Sequence, residues 1–190
     1  NRSWALNYDP KATEDNGTCI SEEDILKKVS VISGGDCKNC SGVVNIKIGD
    51  EYLILDGKQG VNVVVLERDI NLKVRHNRGF ATGNFDIDNK NFVDFMRQFV
   101  FHSDIVILAV RGDAVGKKKE KNSKGEFVYV QSILSDDSKM VIKELGGKVP
   151  EIPRNGSYIL IGTYMNDIYF ETYNAKSDSY FPYFNLTNFG

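Results

Sequence analysis

From Val43 onward the chain falls into short runs rich in β-branched residues, each bounded by polar or glycine-containing stretches. Such runs read as strands: Val43 to Ile48, Tyr52 to Leu55, Val61 to Leu66, Leu72 to Val74, Ile105 to Val110, Val128 to Ile133, Tyr158 to Ile161 and Ile168 to Thr172. Two of them, Val61 to Leu66 and Ile105 to Val110, are almost wholly apolar, the pattern of central strands covered on both faces. Between them Phe92, Phe95, Met96 and Phe99 recur at i, i+3, i+4 and i+7 behind Asp88, predicting an amphipathic helix over 88–99 with Asp88 as its N-cap and its aromatic stripe in the core. A second helix is expected from Ser138 to Leu145, ended by Gly146-Gly147. A third, Ser21 to Lys28, stands in an otherwise irregular stretch covering residues 1–42. The expected architecture is α/β, a compact mixed β-sandwich (β-β-α) with two or three packed helices. Its boundaries are 1–42 for an N-terminal extension, 43–172 for the main domain and 173–190 for an aromatic tail that forms a strand or a linker.

The 190 residues suit one sizeable domain with an appendage. With 24 basic and 26 acidic residues the net charge is −2, so the chain has no broad cationic field and nucleic acid is not an expected partner. No apolar run approaches the roughly 20 residues of a membrane span, and the first residues, Asn1-Arg2-Ser3, suggest a processed or excised soluble segment. Lys117 to Lys121, followed by Asn122-Ser123-Lys124-Gly125, reads as a polar hairpin tip.

Candidate chemistry is sparse. Gly-x-Ser-x-Gly, Gly-x-Gly-x-x-Gly, a phosphate loop and His-x-x-x-His are all missing, and the run starting at Asp86 carries Lys90 where a calcium loop needs an oxygen ligand. The expectation is a non-catalytic chain without cofactor or metal. Cys37 and Cys40 lack the second pair a zinc site needs. A loop disulfide to Cys19 is expected instead, with Cys19–Cys40 or Cys19–Cys37 preferred over a small ring between Cys37 and Cys40. Sequons at Asn1, Asn16, Asn39, Asn155 and Asn185 point to a secreted or cell-surface glycoprotein, with Asn16, Asn39, Asn155 and Asn185 as the acceptor candidates. Asn39 is expected to be a poor acceptor once its neighbour is bridged. Arg111-Gly112-Asp113 matches an integrin-type tripeptide, but it follows a strand run whose end must turn.

Several blocks follow one another along the chain: Gly60 to Leu66, Phe85-Asp86, the Phe-rich helix, Asp104 to Val110 with Asp113, Glu144-Leu145-Gly146, and Arg154 to Gly162. This series, over roughly Val43 to Glu171, resembles the interleukin-like epithelial-mesenchymal-transition inducer domain. The resemblance implies a β-β-α sandwich of secreted signalling proteins, of cell-surface hyaluronidase-related proteins and of the stem of an O-mannose N-acetylglucosaminyltransferase, where the fold acts as a lectin. It further implies that Asp113 and Arg154 contact a sugar and that Tyr158 stands where the family commonly has Trp. Arg154 lies one residue farther from the closing glycine than the stem pattern, and the insertion Ala114 to Asp137 is longer than in the family. An Asp and an Arg give acceptor and donor groups for hydroxyls and acetamido groups, and Tyr158 offers an aromatic face or a core side chain. Arg78 is a further rim candidate. The expected partner is thus a glycan, the terminal sugar of a glycoprotein or polysaccharide. A protein-interaction module, with the tail Tyr180 to Phe184 meeting a protein partner, is the alternative.

Overall fold

The computed structural model describes residues 28–181 apart from 56–57, 68–71, 84–85, 115–116, 132–133, 149–151, 153–154 and 164–167. The expected helix from Ser21 (apart from Lys28, which lies in a turn), Cys19, the sequons at Asn1, Asn16 and Asn185, Arg154, and the tail beyond Phe181 lie outside the described residues.

Eleven strands and two helices are described: β1 (Val29–Ser33), β2 (Val44–Ile48), β3 (Glu51–Tyr52), β4 (Gly60–Leu66), β5 (Val74–Phe80), α1 (Asp86–Phe99), β6 (Ile105–Arg111), β7 (Lys117–Lys121), β8 (Phe127–Gln131), α2 (Asp136–Glu144), β9 (Ser157–Thr163), β10 (Ile168–Asn174) and β11 (Ser179–Phe181). They form a four-stranded sheet in the order β11-β1-β2-β3, a five-stranded sheet in the order β10-β9-β6-β4-β5, and the separate hairpin β7-β8. Every described ladder is antiparallel.

The apolar strands β4, β6 and β9 explain the layering. Alternate side chains of one strand serve two cores, because successive residues point to opposite faces. Val61, Val63, Val65, Leu108, Val110 and Leu160 pack with Phe92, Phe95 and Met96 of α1 and with Val141 and Ile142 of α2. Val64, Leu66, Ile105, Ile107, Ile159 and Ile161 instead meet Val29, Val31, Val44, Ile46 and Phe181 of the smaller sheet. The five-stranded sheet is therefore the middle layer, sheet on one side and helices on the other.

The predicted aromatic stripe of α1 is the buried one, with Phe92 and Met96 fully enclosed. The helix begins at Asp86, so Asp88 sits inside its first turn and is not the N-cap. Helix α2 starts two residues before the expected Ser138. Ser135 is its cap, the hydroxyl accepting from the Ser138 amide at 3.1 Å, because Asp136 and Asp137 are good first-turn residues that complement the helix dipole. Its end is the expected glycine pair: Gly146 has φ +86°, and Gly146 and Gly147 donate to Lys143 and Ile142 carbonyls at 2.8 and 2.9 Å.

Four strands differ from the pattern: β7, where Lys117 to Lys121 is a strand paired with β8 and the tip is only 122–126, and β1, β5 and β11. β1 and β11 lie outside the expected 43–172 span, yet they pair with each other and carry Val29, Val31 and Phe181 into the inter-sheet core. Phe181 is thus packed, 4.7 Å from the Phe170 ring, so the first part of the aromatic tail closes the sandwich. β5 runs to Phe80 through polar residues because it is an edge strand. Its helix-facing positions are filled by amphipathic side chains, His76 edge-on to Phe95 at 5.7 Å and Arg78 over Phe80 at 5.5 Å.

Two buried polar groups fix the joints between these layers. Asn89 of α1 donates to the Thr82 carbonyl and accepts from the Ser135 amide and the Ser138 hydroxyl at 3.0 to 3.2 Å, holding both helix starts to the chain after β5. Asp104, 2% exposed, takes both of its oxygens to Arg75 at 2.7 and 2.8 Å and accepts the Phe101 amide at 2.9 Å. Asp104→Ala leaves the guanidinium and this amide without their acceptor. It should lower the free energy of unfolding by about 3 kcal/mol in urea denaturation, whereas removing the exposed Lys90–Asp94 pair by Asp94→Ala should cost under about 1 kcal/mol.

Candidate functional site

Strand β1 does not stop at the edge of its own sheet. Its last residue, Ser33, is fully buried and inserts its hydroxyl between the ends of β6 and β9. The Ser33 Oγ donates to the Val110 carbonyl at 2.7 Å and accepts from the Tyr158 amide at 3.0 Å. The regular β6–β9 register ends one pair earlier, at Ala109 opposite Ile159, so a side chain of the opposing sheet bridges the two central strands there.

Gly34 and Gly35 continue the insertion. The Gly112 amide donates to the Gly34 carbonyl at 2.8 Å, and Gly35 makes a parallel bridge to Gly112. On its other side Gly35 lies against the loop leading into β9. A Cβ added there would stand 2.2 Å from the Asn155 carbonyl oxygen and 2.6 Å from the Gly156 carbonyl carbon, so only glycine fits. Ser33-Gly34-Gly35 thus separates Gly112-Asp113 from Asn155-Gly156 and places both beside it.

Further loops join this end of the sandwich. Arg111 Nε donates to the Gly42 carbonyl at 3.3 Å, the Ser41 amide donates to Asp178 at 2.8 Å, and the Ser157 hydroxyl is held by the Ser177 carbonyl and the Ser179 hydroxyl, both at 2.8 Å. The chain segments 36–42, 111–114, 155–157 and 174–179 therefore form one connected rim. Within it Arg111 and Gly112 are tied to the 34–42 segment, so the Arg-Gly-Asp tripeptide is a strand end and not a projecting adhesion loop.

The cysteines correct an expectation. Cys37 bonds Cys40, not Cys19, with the Cα atoms 5.0 Å apart. The small ring is accessible because the segment is a tight turn, the Cys40 amide donating to the Cys37 carbonyl at 3.0 Å. Asn39, an acceptor candidate, is an exposed residue inside that turn. Asn155, another, has φ +58° and is followed by the buried Gly156 and Ser157, which puts its sequon against the body of the domain.

Of the four proposed sugar-contacting residues, Asp113 is on this rim, half-buried just past β6. Arg154 precedes the described Asn155. Arg78 is elsewhere: it pairs with Val63, which pairs with Leu108, so it lies two strands across from β6 and level with its middle, over the rings of Phe80 and Phe95. Tyr158 is a core side chain with no exposed surface. It packs with Leu160, Val141 and Ile142, and its hydroxyl donates to Glu171 at 2.7 Å. No aromatic face is left for a ligand. Sequence reasoning missed Ser33, Gly34 and Gly35; the only signal was the pair of glycines after a short apolar alternation, Val29 to Ser33.

A family model described as interleukin-like EMT inducer (ILEI) matches residues 59–164. The chain belongs to the ILEI family. Among curated proteins no relative matches. The ILEI span contains β4 to β9, hence both Asp113 and the loop before Ser157, while Ser33 to Gly35 comes from outside it. Membership, together with a disulfide of the kind that persists in oxidising compartments, supports an extracellular signalling or interaction module.

The buried Tyr158 gives the domain an alkaline limit. Burial, reinforced by the hydrogen bond to Glu171 and the negative charge of that carboxylate, raises the phenol pKa far above its ordinary value. The folded chain keeps this proton where the unfolded chain, with a tyrosine pKa of about 10, has released it. Its stabilising contribution is whole below about pH 10 and declines above that by about 1.4 kcal/mol per pH unit. Stability measured by urea denaturation between pH 9 and 11 should therefore fall less steeply in Tyr158→Phe than in the wild type, by one proton, and equal slopes would contradict this assignment.

Proposed function

We propose that this ILEI chain is a non-catalytic carbohydrate-binding module of a secreted or cell-surface glycoprotein, which takes a terminal sugar at the rim around Gly35. The observation that carries the reading is the approach of two loops to one residue: Gly112 is bridged to Gly35, and Asn155-Gly156 lie against its other side. The half-buried Asp113 carboxylate accepts hydrogen bonds from sugar hydroxyls, and Arg154, next to Asn155, donates to ring substituents or an acetamido oxygen. The rim backbone at Gly112-Asp113 and at Asn155-Gly156 is held by a buried strand insertion, which lowers the ordering needed there on binding. Arg78 and Tyr158 have no part in it. The reading needs no metal or cofactor, since hydrogen bonds to neutral hydroxyls suffice.

A second reading, a protein-interaction or signalling module, is favoured by one feature. At the β3 edge of the four-stranded sheet Tyr52 is 70% and Ile54 93% exposed, an apolar pair of the kind found in protein interfaces.

A glycan array separates the two. Wild type should retain a defined set of glycans, with Asp113→Ala and Arg154→Ala each lowering affinity at least tenfold while the melting temperature stays within about 2 °C. Absence of binding to every glycan, or binding unaltered by both substitutions, removes the sugar reading and leaves the protein-interaction one.

A further inference from the structure

The insertion after Ala114 builds the hairpin β7-β8, a two-stranded sheet that pairs with no other strand among the described residues. Its sequence is unlike the rest of the chain. Residues 117–126 hold five lysines and two glutamates, a local charge of +3 that leaves −5 on the remainder. Register orders these charges: Lys117, Lys119 and Lys121 stand opposite Gln131, Tyr129 and Phe127, whereas Lys118 and Glu120 stand opposite Val130 and Val128. Because residue positions alternate between the two faces of a hairpin, three lysines share one face with two aromatic residues, at spacings of about 7 Å along the strand.

At its described end that face is open to solvent. Lys121 is exposed, Phe127 is 61% exposed, and the Lys121 ammonium lies 5.3 Å from the Phe127 ring centroid. On the other face Val128 is half-buried. The turn adds the exposed Lys124, while the acid nearest to it, Glu126, accepts a hydrogen bond from the Asn122 side chain at 3.0 Å. Asp136 and Asp137 begin α2, beyond the far end of β8.

We propose that the Lys117–Lys119–Lys121 face of this hairpin binds an anionic polysaccharide carrying sulfate or carboxylate groups, at a site separate from the Gly35 rim. Lysines at alternate positions of one strand suit the repeating anions of such a chain, and the exposed Phe127 ring beside Lys121 offers a flat surface to the C–H face of a sugar. The occupant is narrow because the rest of the chain is acidic. A broad anionic surface, such as a lipid bilayer or a DNA duplex, would meet that −5 body as well as the hairpin. An extracellular setting supplies polysaccharides and not nucleic acid.

The test uses the full chain on immobilised heparin across a salt series. Wild type should bind, with an affinity that falls as a power of salt concentration through counterion release. The triple variant Lys117→Gln, Lys119→Gln, Lys121→Gln should bind at least tenfold more weakly at about 0.1 M salt, with a salt slope lower by about 2 to 3. Lys121→Gln alone, a single exposed replacement, should lower that slope by about 1. A control losing the same charge elsewhere, Lys38→Gln, Lys58→Gln, Lys143→Gln, should change affinity less than threefold. Phe127→Ala should weaken binding and leave the slope unchanged, and Asp113→Ala should have no effect. The proposal is overturned by lack of heparin binding in the wild type, by a control variant as weak as the hairpin variant, or by equally tight binding to single-stranded DNA or to phosphatidylserine vesicles.

Discussion

The three residues Ser33, Gly34 and Gly35 hold this sandwich in its particular shape. Two stacked sheets are ordinarily joined by side-chain packing alone, which is non-directional and tolerates sliding. Here a strand of the smaller sheet also hydrogen-bonds into the larger one. A buried hydroxyl occupies the place of a ladder bond between β6 and β9, and the glycine backbone beyond it bridges Gly112. Each bond contributes about 1 kcal/mol net, but leaving the Val110 carbonyl or the Tyr158 amide buried without a partner would cost more than the bond itself supplies. Directionality and steric exclusion, more than bond strength, fix the register between the layers.

That insertion also determines where a ligand site can be. It parts the ends of the two central strands, so the turn after β6 and the loop before β9 face each other across Gly35 and do not pair. The same end is secured by the Ser41–Asp178 and Ser157–Ser177 contacts, which bring β11 and the disulfide turn to the rim. The ILEI match covers β4, β5, β6 and β9 of the middle sheet, both helices and both loops, while the insertion is supplied by the chain before it and β10 by the chain after it. The hairpin β7-β8 is the opposite kind of element, a lysine-rich sheet that pairs with no other strand among the described residues.

Most of the middle layer could be read in the sequence because its physics is local. β4, β6 and β9 are continuous apolar runs, and the α1 stripe has the period of a helix. The edges were harder. β5 buries its helix side with the stems and rings of Arg78 and His76, which a search for apolar alternation passes over. β1 is five residues long beside a glycine pair that reads as a loop, and its pairing with β11 closes a separation of about 150 residues that no local pattern encodes. The Cys37–Cys40 bridge was misjudged because the turn that makes a short ring accessible is set by backbone geometry. Asp113 lies just past the end of β6, the strand-end position that its place after the apolar run implied. Arg78, read as a further rim candidate, stacks over Phe80 and Phe95 instead, and of the two readings of Tyr158 the structure takes the core one.

Native-state hydrogen exchange in Gly35→Ala tests the role of this insertion most directly. A methyl group at residue 35 cannot be accommodated against the Asn155 carbonyl, so the segment must back out from between the strands. Amide protection of Gly112 and Tyr158 should then fall together, by about tenfold or more beyond any change at the opposite end of the same strands, at Ile105 and Thr163. Protection of Gly112 and Tyr158 that stays at the wild-type level, or that falls only in step with the whole domain, would contradict the account.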